Sequence, residues 1–133
     1  MKILITGVAG FIGFSTSQIL LKNQNLNIVG IDNFSSYSGN DIKKLRIKLL
    51  KKNKNFLFKK IDINSREKIK RIVLKHKFDI IIHLAAEVGV RYSIEKPEKY
   101  IKTNIQGFFN IINSFKFHRP TKFMFASSSS VYG

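Results

Sequence analysis

A short apolar run, Lys2 to Thr6, leads straight into Thr6-Gly7-Val8-Ala9-Gly10-Phe11-Ile12-Gly13 and then into a helix-period segment, Phe11 to Lys22. A strand, a glycine turn and a helix in immediate succession leave few folds open. Glycine lets the backbone turn tightly and lets another group approach it closely. The helix that follows presents N–H groups without intrahelical partners, and the positive end of its dipole, to an anion. A lone glycine triplet is equally a structural turn. The strand before it and the helix after it make Gly7, Gly10, Phe11, Ile12 and Gly13 candidates for holding a pyrophosphate.

The rest of the chain repeats the same alternation. Asn27 to Ile31 is a second strand, closed by Asp32 and a Ser/Gly/Asn-rich loop through Asn40. Asp41 is placed to cap a Lys-rich helix running to about Asn53. On that helix Ile42, Leu45, Leu49 and Leu50 form the apolar side, with the lysines as its solvated face. Phe56 to Phe58 is a third strand, Ser65 caps a helix that buries Ile69, Ile72 and Val73, and Asp79 to Leu84 is a fourth strand. Pro97 stands near the start of a long helix whose Ile101, Ile105, Phe108, Ile112 and Phe115 form one apolar stripe. Pro120 separates it from a fifth strand, Lys122 to Ala126. Short apolar strands alternating with helices predict a Rossmann-type, doubly wound α/β fold, with about five parallel strands and helices on both faces.

Asp32 lies nineteen positions beyond Gly13, at the end of the second strand. An acid there accepts hydrogen bonds from adenosine ribose hydroxyls and repels a 2′-phosphate, so NAD is expected over NADP, with Asn33 beside it. There is no cysteine, which excludes disulfides and thiolate metal sites, and no metal is expected. No apolar run approaches the ~18 residues of a membrane span, and three glycines and Thr6 break up the start of the chain, unlike a signal peptide. A soluble, cytoplasmic protein is expected. The net charge of +16 is carried by lysines spread over helix faces and loops without an aromatic-basic recognition motif, so neither a specific nucleic acid nor a membrane is expected as a partner.

The spacing Gly-x-x-Gly-x-x-Gly resembles that of the extended short-chain dehydrogenase/reductase family, the NAD-dependent epimerases and dehydratases. Three further stretches resemble the family in order: Asp62-Ile63, His83-Leu84-Ala85-Ala86, and Ser127 to Gly133. Within it, Gly30-Ile31-Asp32-Asn33-Phe34 with Tyr37, Gly89-Val90-Arg91-Tyr92-Ser93 and the run Ser127 to Ser130 are similar to the UDP-glucuronate 4-epimerases. Glu87 departs from that pattern, where a neutral residue such as Gln is expected.

The resemblance implies an enzyme that uses NAD to oxidise C4 of a UDP-sugar, rotates the keto intermediate and reduces it again. UDP-glucuronate and UDP-galacturonate are the implied substrate pair, and a nucleotide-sugar 4,6-dehydratase or a non-catalytic NAD-binding fragment are the alternatives. It implies that Asp62 and Ile63 flank the adenine, that Leu84, Ala85 and Ala86 pass beside the cofactor, and that Asn104 orders the active-site strand ends. Ser128 corresponds to the residue that hydrogen-bonds the reacting hydroxyl, Ser129 and Ser130 lie near the sugar carboxylate, and Arg91 faces substrate or cofactor. His83 reads as a packed strand residue. The catalytic tyrosine and lysine of a Tyr-x-x-x-Lys helix belong after the fifth strand, so residues 1–133 are expected to be the N-terminal part of the NAD-binding domain, inactive alone, in a protein that forms homodimers. Tyr92-Ser93-Ile94-Glu95-Lys96 fits the motif's spacing but precedes the serine strand, and Pro97 disfavours helical geometry at Lys96.

Overall fold

Alternate residues of the first strand, β1 (Lys2–Thr6), enter two separate cores. Ile3 and Ile5 join Val8, Leu21, Ile28, Ile47 and Leu50 on one side, while Leu4 joins Val29, Ile31, Ile69, Val73 and Phe78 on the other. A strand covered on both faces needs apolar residues at every position, which is what its Ile-Leu-Ile centre supplies. The computed structural model describes residues 1–35 and 39–132, without the side chains of Ser129 and Ser130; Tyr37 and Gly133 therefore lie outside the described residues.

Four more strands lie parallel to β1: β2 (Asn27–Asp32), β3 (Phe56–Lys60), β4 (Ile80–His83) and β5 (Lys122–Phe125). Their order in the sheet is β3-β2-β1-β4-β5. The chain moves outward from β1 through β2 to β3, then crosses back to β4, so the order reverses at β1. In open α/β sheets ligands bind at such a reversal, beyond the carboxyl ends of the strands. Register places Thr6 of β1 opposite His83 of β4 and Ile31 of β2, which brings the glycine turn between the exits of both neighbours.

Helices α1 (Phe11–Leu20) and α2 (Asn40–Leu50) cover the Ile3/Ile5 core, and α3 (Arg66–His76) covers the Leu4 core. Two short helices follow β4, α4 (Val90–Glu95) and α5 (Pro97–Tyr100). A π-helical stretch, Ile101–Gly107, then runs into α6 (Phe108–Asn113). Among the described residues no helix is long and apolar enough to cross a membrane.

Three local expectations are corrected. Asp41 does not cap α2: the helix begins at Asn40 behind Gly39 (φ 67°), and the Asp41 carboxylate lies 3.5 Å from Lys44 in solvent. Helix α2 is also turned differently from the expected apolar side, with Lys43, Ile47 and Leu50 inward and Ile42, Leu45 and Leu49 outward. The long stripe holds only in part: Phe108 and Phe115 are half-buried and pack against His83, Phe123 and Phe125, but its isoleucines do not follow them. The residues that bury themselves are Gly107, Asn110, Ile111 and Ser114, while Ile101, Ile105 and Ile112 are exposed. A π-helical segment closes its hydrogen bonds one residue further along (i→i+5) than an α-helix, so a stripe counted at α-helical period drifts off its face. Ser65 does stand at the N-cap of α3, but it contributes its carbonyl, to Ile69 N–H at 3.0 Å, and not its hydroxyl.

Candidate functional site

Gly7 makes the turn at the end of β1 with φ 69°, a left-handed conformation. A Cβ there would lie 2.8 Å from the backbone of Leu84 and Ala85, so the turn is pressed against the exit of β4. A Cβ on Gly13 would collide with the Gly7 carbonyl and Val8 Cα, which lets α1 seat directly on the turn. Gly10 occupies the N-cap, and the first ladder bond runs from Phe14 N–H to Gly10 O at 3.0 Å. The N–H groups of Phe11, Ile12 and Gly13 precede that ladder, and the first turn of α1 carries no acidic residue. Backbone donors, a positive dipole end and absent side-chain bulk together fit a pyrophosphate.

Asp32 ties the turn to β2. Its buried carboxylate accepts Ala9 N–H at 3.1 Å on one oxygen and Phe34 N–H at 2.8 Å on the other. The second bond holds Phe34 at φ 58°, an unusual conformation for a bulky residue. Lys43, buried on α2, brings its ammonium to 4.0 Å from the same carboxylate and donates to Ser35 O at 3.2 Å. Arg46 donates to Ala9 O at 3.1 Å from below the turn. Asn33 donates through Nδ2 to Asp62 at 3.1 Å, and Asp62 also accepts Asn64 N–H at 2.8 Å.

Across the turn, Thr6 joins β1 to β4. Its hydroxyl oxygen receives Leu84 N–H and Ala85 N–H, both at 3.1 Å, and lies 2.7 Å from His83 Nδ1. With its lone pairs so engaged, the hydroxyl donates its proton to Nδ1, and the ring carries its own proton on Nε2. Burial lowers the His83 pKa to about 4, and the neutral ring packs at 5.5 Å on Phe108. His83 is thus a packed strand residue, in keeping with the sequence reading.

Two clefts open above these strand ends, of about 600 and 640 Å³, divided by the loop from Leu84 to Val88 that lines both. The first gathers Gly7, Gly10, Phe11, Ile12, Gly13, Asp32, Asn33 and Ile63 with Leu84, Ala85 and Ala86. The second holds Asn104 and Ser128, with Ser127 reaching both. Asp62 lines neither and supports Asn33 from behind; Arg91, exposed on α4, also lines neither. Asn104 clasps the dividing loop, accepting Glu87 N–H at 2.9 Å and donating to Glu87 O at 3.0 Å. These are backbone contacts, so the departure at Glu87 leaves them intact. Ser129 and Ser130 belong to a 3₁₀ turn, Ser129–Tyr132, just beyond the second cleft. Lys96 leaves helical geometry (φ −137°, ψ 57°), and the lysine that meets the Tyr92 hydroxyl, at 2.6 Å, is Lys99.

Sequence reasoning missed Thr6, Lys43 and Arg46. Thr6 was readable only as a strand end, because its partner lies 77 positions away. The two basic residues were lost among the lysines of α2, and only their contacts with Asp32 and the Ala9 carbonyl distinguish them.

The family model described as GDP-mannose 4,6 dehydratase matches residues 4–133. A UDP-glucuronate 4-epimerase from Thermodesulfobacterium geofontis is 40% identical over 129 residues, covering 97% of this chain and 40% of that protein. UDP-glucuronate 4-epimerase 4 of Arabidopsis thaliana is 39% identical, covering 100% of this chain and 30% of that protein. The crystal structure of UDP-glucuronic acid 4-epimerase from Bacillus cereus, in complex with UDP-glucuronic acid and NAD, superposes with a TM-score of 0.92 at 37% identity, covering 100% of this chain and 42% of that one. The chain thus spans about two fifths or less of the length of these relatives. The glycine turn, the acid at the end of β2 and the serines just beyond β5 stand at the strand ends of one sheet, and the chain belongs to the extended short-chain dehydrogenase/reductase family of NAD-dependent epimerases and dehydratases.

Proposed function

We propose that the chain is the N-terminal part of the NAD-binding domain of a nucleotide-sugar epimerase, acting on UDP-glucuronate and UDP-galacturonate. The observation that carries this reading is the pair of clefts meeting at Leu84 to Val88, with a glycine cradle on one side and a serine strand end on the other. The first turn of α1 takes the pyrophosphate, Asp32 and Asn33 take the adenosine ribose, and Ile63 with Asp62 behind it bounds the adenine. Leu84, Ala85 and Ala86 form the wall toward the nicotinamide, and Asn104 sets that wall. The cofactor, when bound, supplies the oxidising and reducing equivalents for C4. Ser128 hydrogen-bonds the reacting hydroxyl, and Ser129 and Ser130 donate to the sugar carboxylate. The tyrosine base and its lysine belong to the remainder of the protein, which acts in the cytoplasm as a homodimer, and residues 1–133 alone do not turn substrate over.

The test is conversion of UDP-glucuronate to UDP-galacturonate by the whole protein, beside calorimetric titration of residues 1–133 with NAD and NADP. Epimerisation by the whole protein, with NAD binding and no turnover by the shorter chain, is the expected result. A 4-keto-6-deoxy product from a neutral nucleotide sugar would establish the dehydratase instead, the reading that the family model's description favours. Failure of NAD to bind would end both.

A further inference from the structure

We propose that the outward face of α2 docks on an anionic lipid bilayer. The inference does not depend on the cofactor reading, although Ile42, at the start of this face, also lines the glycine cleft. Ile42, Leu45 and Leu49 lie one helical turn apart and are 55%, 57% and 41% exposed. Side chains of this kind normally face a core, but here that place is taken by Lys43, Ile47 and Leu50. Along the flank of the apolar strip run Lys44 and Lys48, with Lys52 just past the helix end, all three exposed. The neighbouring edge strand β3 adds further lysines. Residues 41–60 hold nine basic residues and one acidic one, half of the net charge of +16; Lys43 and Arg46 turn inward to Asp32 and Ala9, and the other seven are exposed. The expectation of no membrane partner rested on lysines being dispersed, and the fold gathers them beside exposed aliphatic side chains.

Charge decides the sign of the partner and the aliphatic strip decides its kind. An amphipathic helix with lysines beside an apolar face lies in the headgroup layer of acidic lipids, its apolar side chains at the acyl boundary. A nucleic acid would use the lysines but offers nothing to the aliphatic side chains of Ile42, Leu45 and Leu49. A second copy of this face would be repelled by its own charge.

The test is co-sedimentation of the full-length protein with phosphatidylcholine vesicles with and without phosphatidylglycerol, over a range of salt. Binding is expected only to the phosphatidylglycerol vesicles and should fall as salt rises. Leu45→Gln/Leu49→Gln, with every lysine kept, should lower the partition about tenfold. Both leucines are exposed, so an unchanged thermal melt is expected, and Lys44→Gln/Lys48→Gln serves as a second variant that must also weaken binding. Equal binding to both vesicle types, none to either, or leucine variants that bind like the parent would each overturn the proposal. Displacement by duplex DNA that is indifferent to the leucine changes would assign the face to nucleic acid instead.

Discussion

The two clefts share the wall from Leu84 to Val88 yet are built by opposite means. The glycine cleft is made of backbone. Its floor is the Gly7 turn, its anion donors are the first N–H groups of α1, and its strand-end acid, Asp32, is buried and held by two backbone N–H groups. The serine cleft is made of side chains at the ends of β4 and β5, where Phe125, Ser127 and Ser128 are exposed. Its wall is fixed from outside, by Thr6 below and Asn104 beside it. A site made of backbone is specified by the local sequence that bends it. A site made of side chains is only as ordered as its distant supports. Gly10→Asp breaks the first kind most directly. At φ −66°, ψ 169° the backbone suits any residue and a Cβ meets only Gly7 O, so the fold should survive a small shift there while a carboxylate occupies the anion's place. NAD affinity should fall by at least about a thousandfold, roughly 4 kcal/mol. Gly10→Ala, whose Cβ meets only Gly7 O at 3.1 Å, should retain most of it. Calorimetry on both variants checks this, and equal losses would mean that the turn's shape matters and its charge does not.

The support under the serine cleft is sensitive to pH. His83 titrates at about 4 in the folded protein against 6.5 in an unfolded chain, because burial disfavours its charged form. Between those values the unfolded chain binds more protons. Stability therefore falls as the pH drops from about 6.5 toward 4 and levels off below, by up to about 3 kcal/mol from this group. Urea melts at pH 7 and 4.5 should show the loss, and His83→Gln should flatten it. An undiminished slope in the variant would put the titration elsewhere.

Asp32→Asn probes the glycine cleft at its other end. The amide keeps an acceptor toward Ala9 or Phe34 but leaves Lys43 without its counter-charge and removes the repulsion of a 2′-phosphate. NAD should weaken about tenfold, 1.4 kcal/mol, while NADP gains. A preference for NAD that persists undiminished would shift the discrimination from charge to shape.

The same division governs how much could be read from the sequence. All five strands were legible as short apolar runs, the inner three because both their faces are covered, and the glycine turn was legible because Gly7 to Gly13 are neighbours in the chain. Strand ends moved by a residue or two: β2 runs on to Asp32 and β3 to Lys60, while β4 loses Asp79 and Leu84. Helix faces were not legible. Both Ile42/Leu45/Leu49 and Ile101/Ile105/Ile112 have helical spacing and both point outward, one because Lys43 turns inward to Asp32 and Ser35, the other because a π-helical segment shifts the phase. Periodicity reports that a stripe exists; which way it faces is settled by partners far along the chain. The serine cleft depends on such partners too, and the Thr6–His83 contact spans 77 positions.

Asn104 offers the finest test of the contrast. Its amide makes two hydrogen bonds to the backbone of Glu87, seventeen positions away, and both are solvent-exposed. Water can replace such bonds, so Asn104→Ala should cost stability no more than about 1 kcal/mol. The wall, however, borders both clefts, and releasing it should loosen the serine cleft while the backbone-built glycine cleft stays formed. The expected pattern is NAD affinity within about twofold of the parent, with faster amide hydrogen exchange confined to residues 85–89. Exchange that spreads to Gly7–Gly13 would show that the two clefts share one support, since Gly7 touches Leu84 and Ala85 directly. Confined exchange would show that Thr6 alone is enough to hold the near side of the wall against the turn.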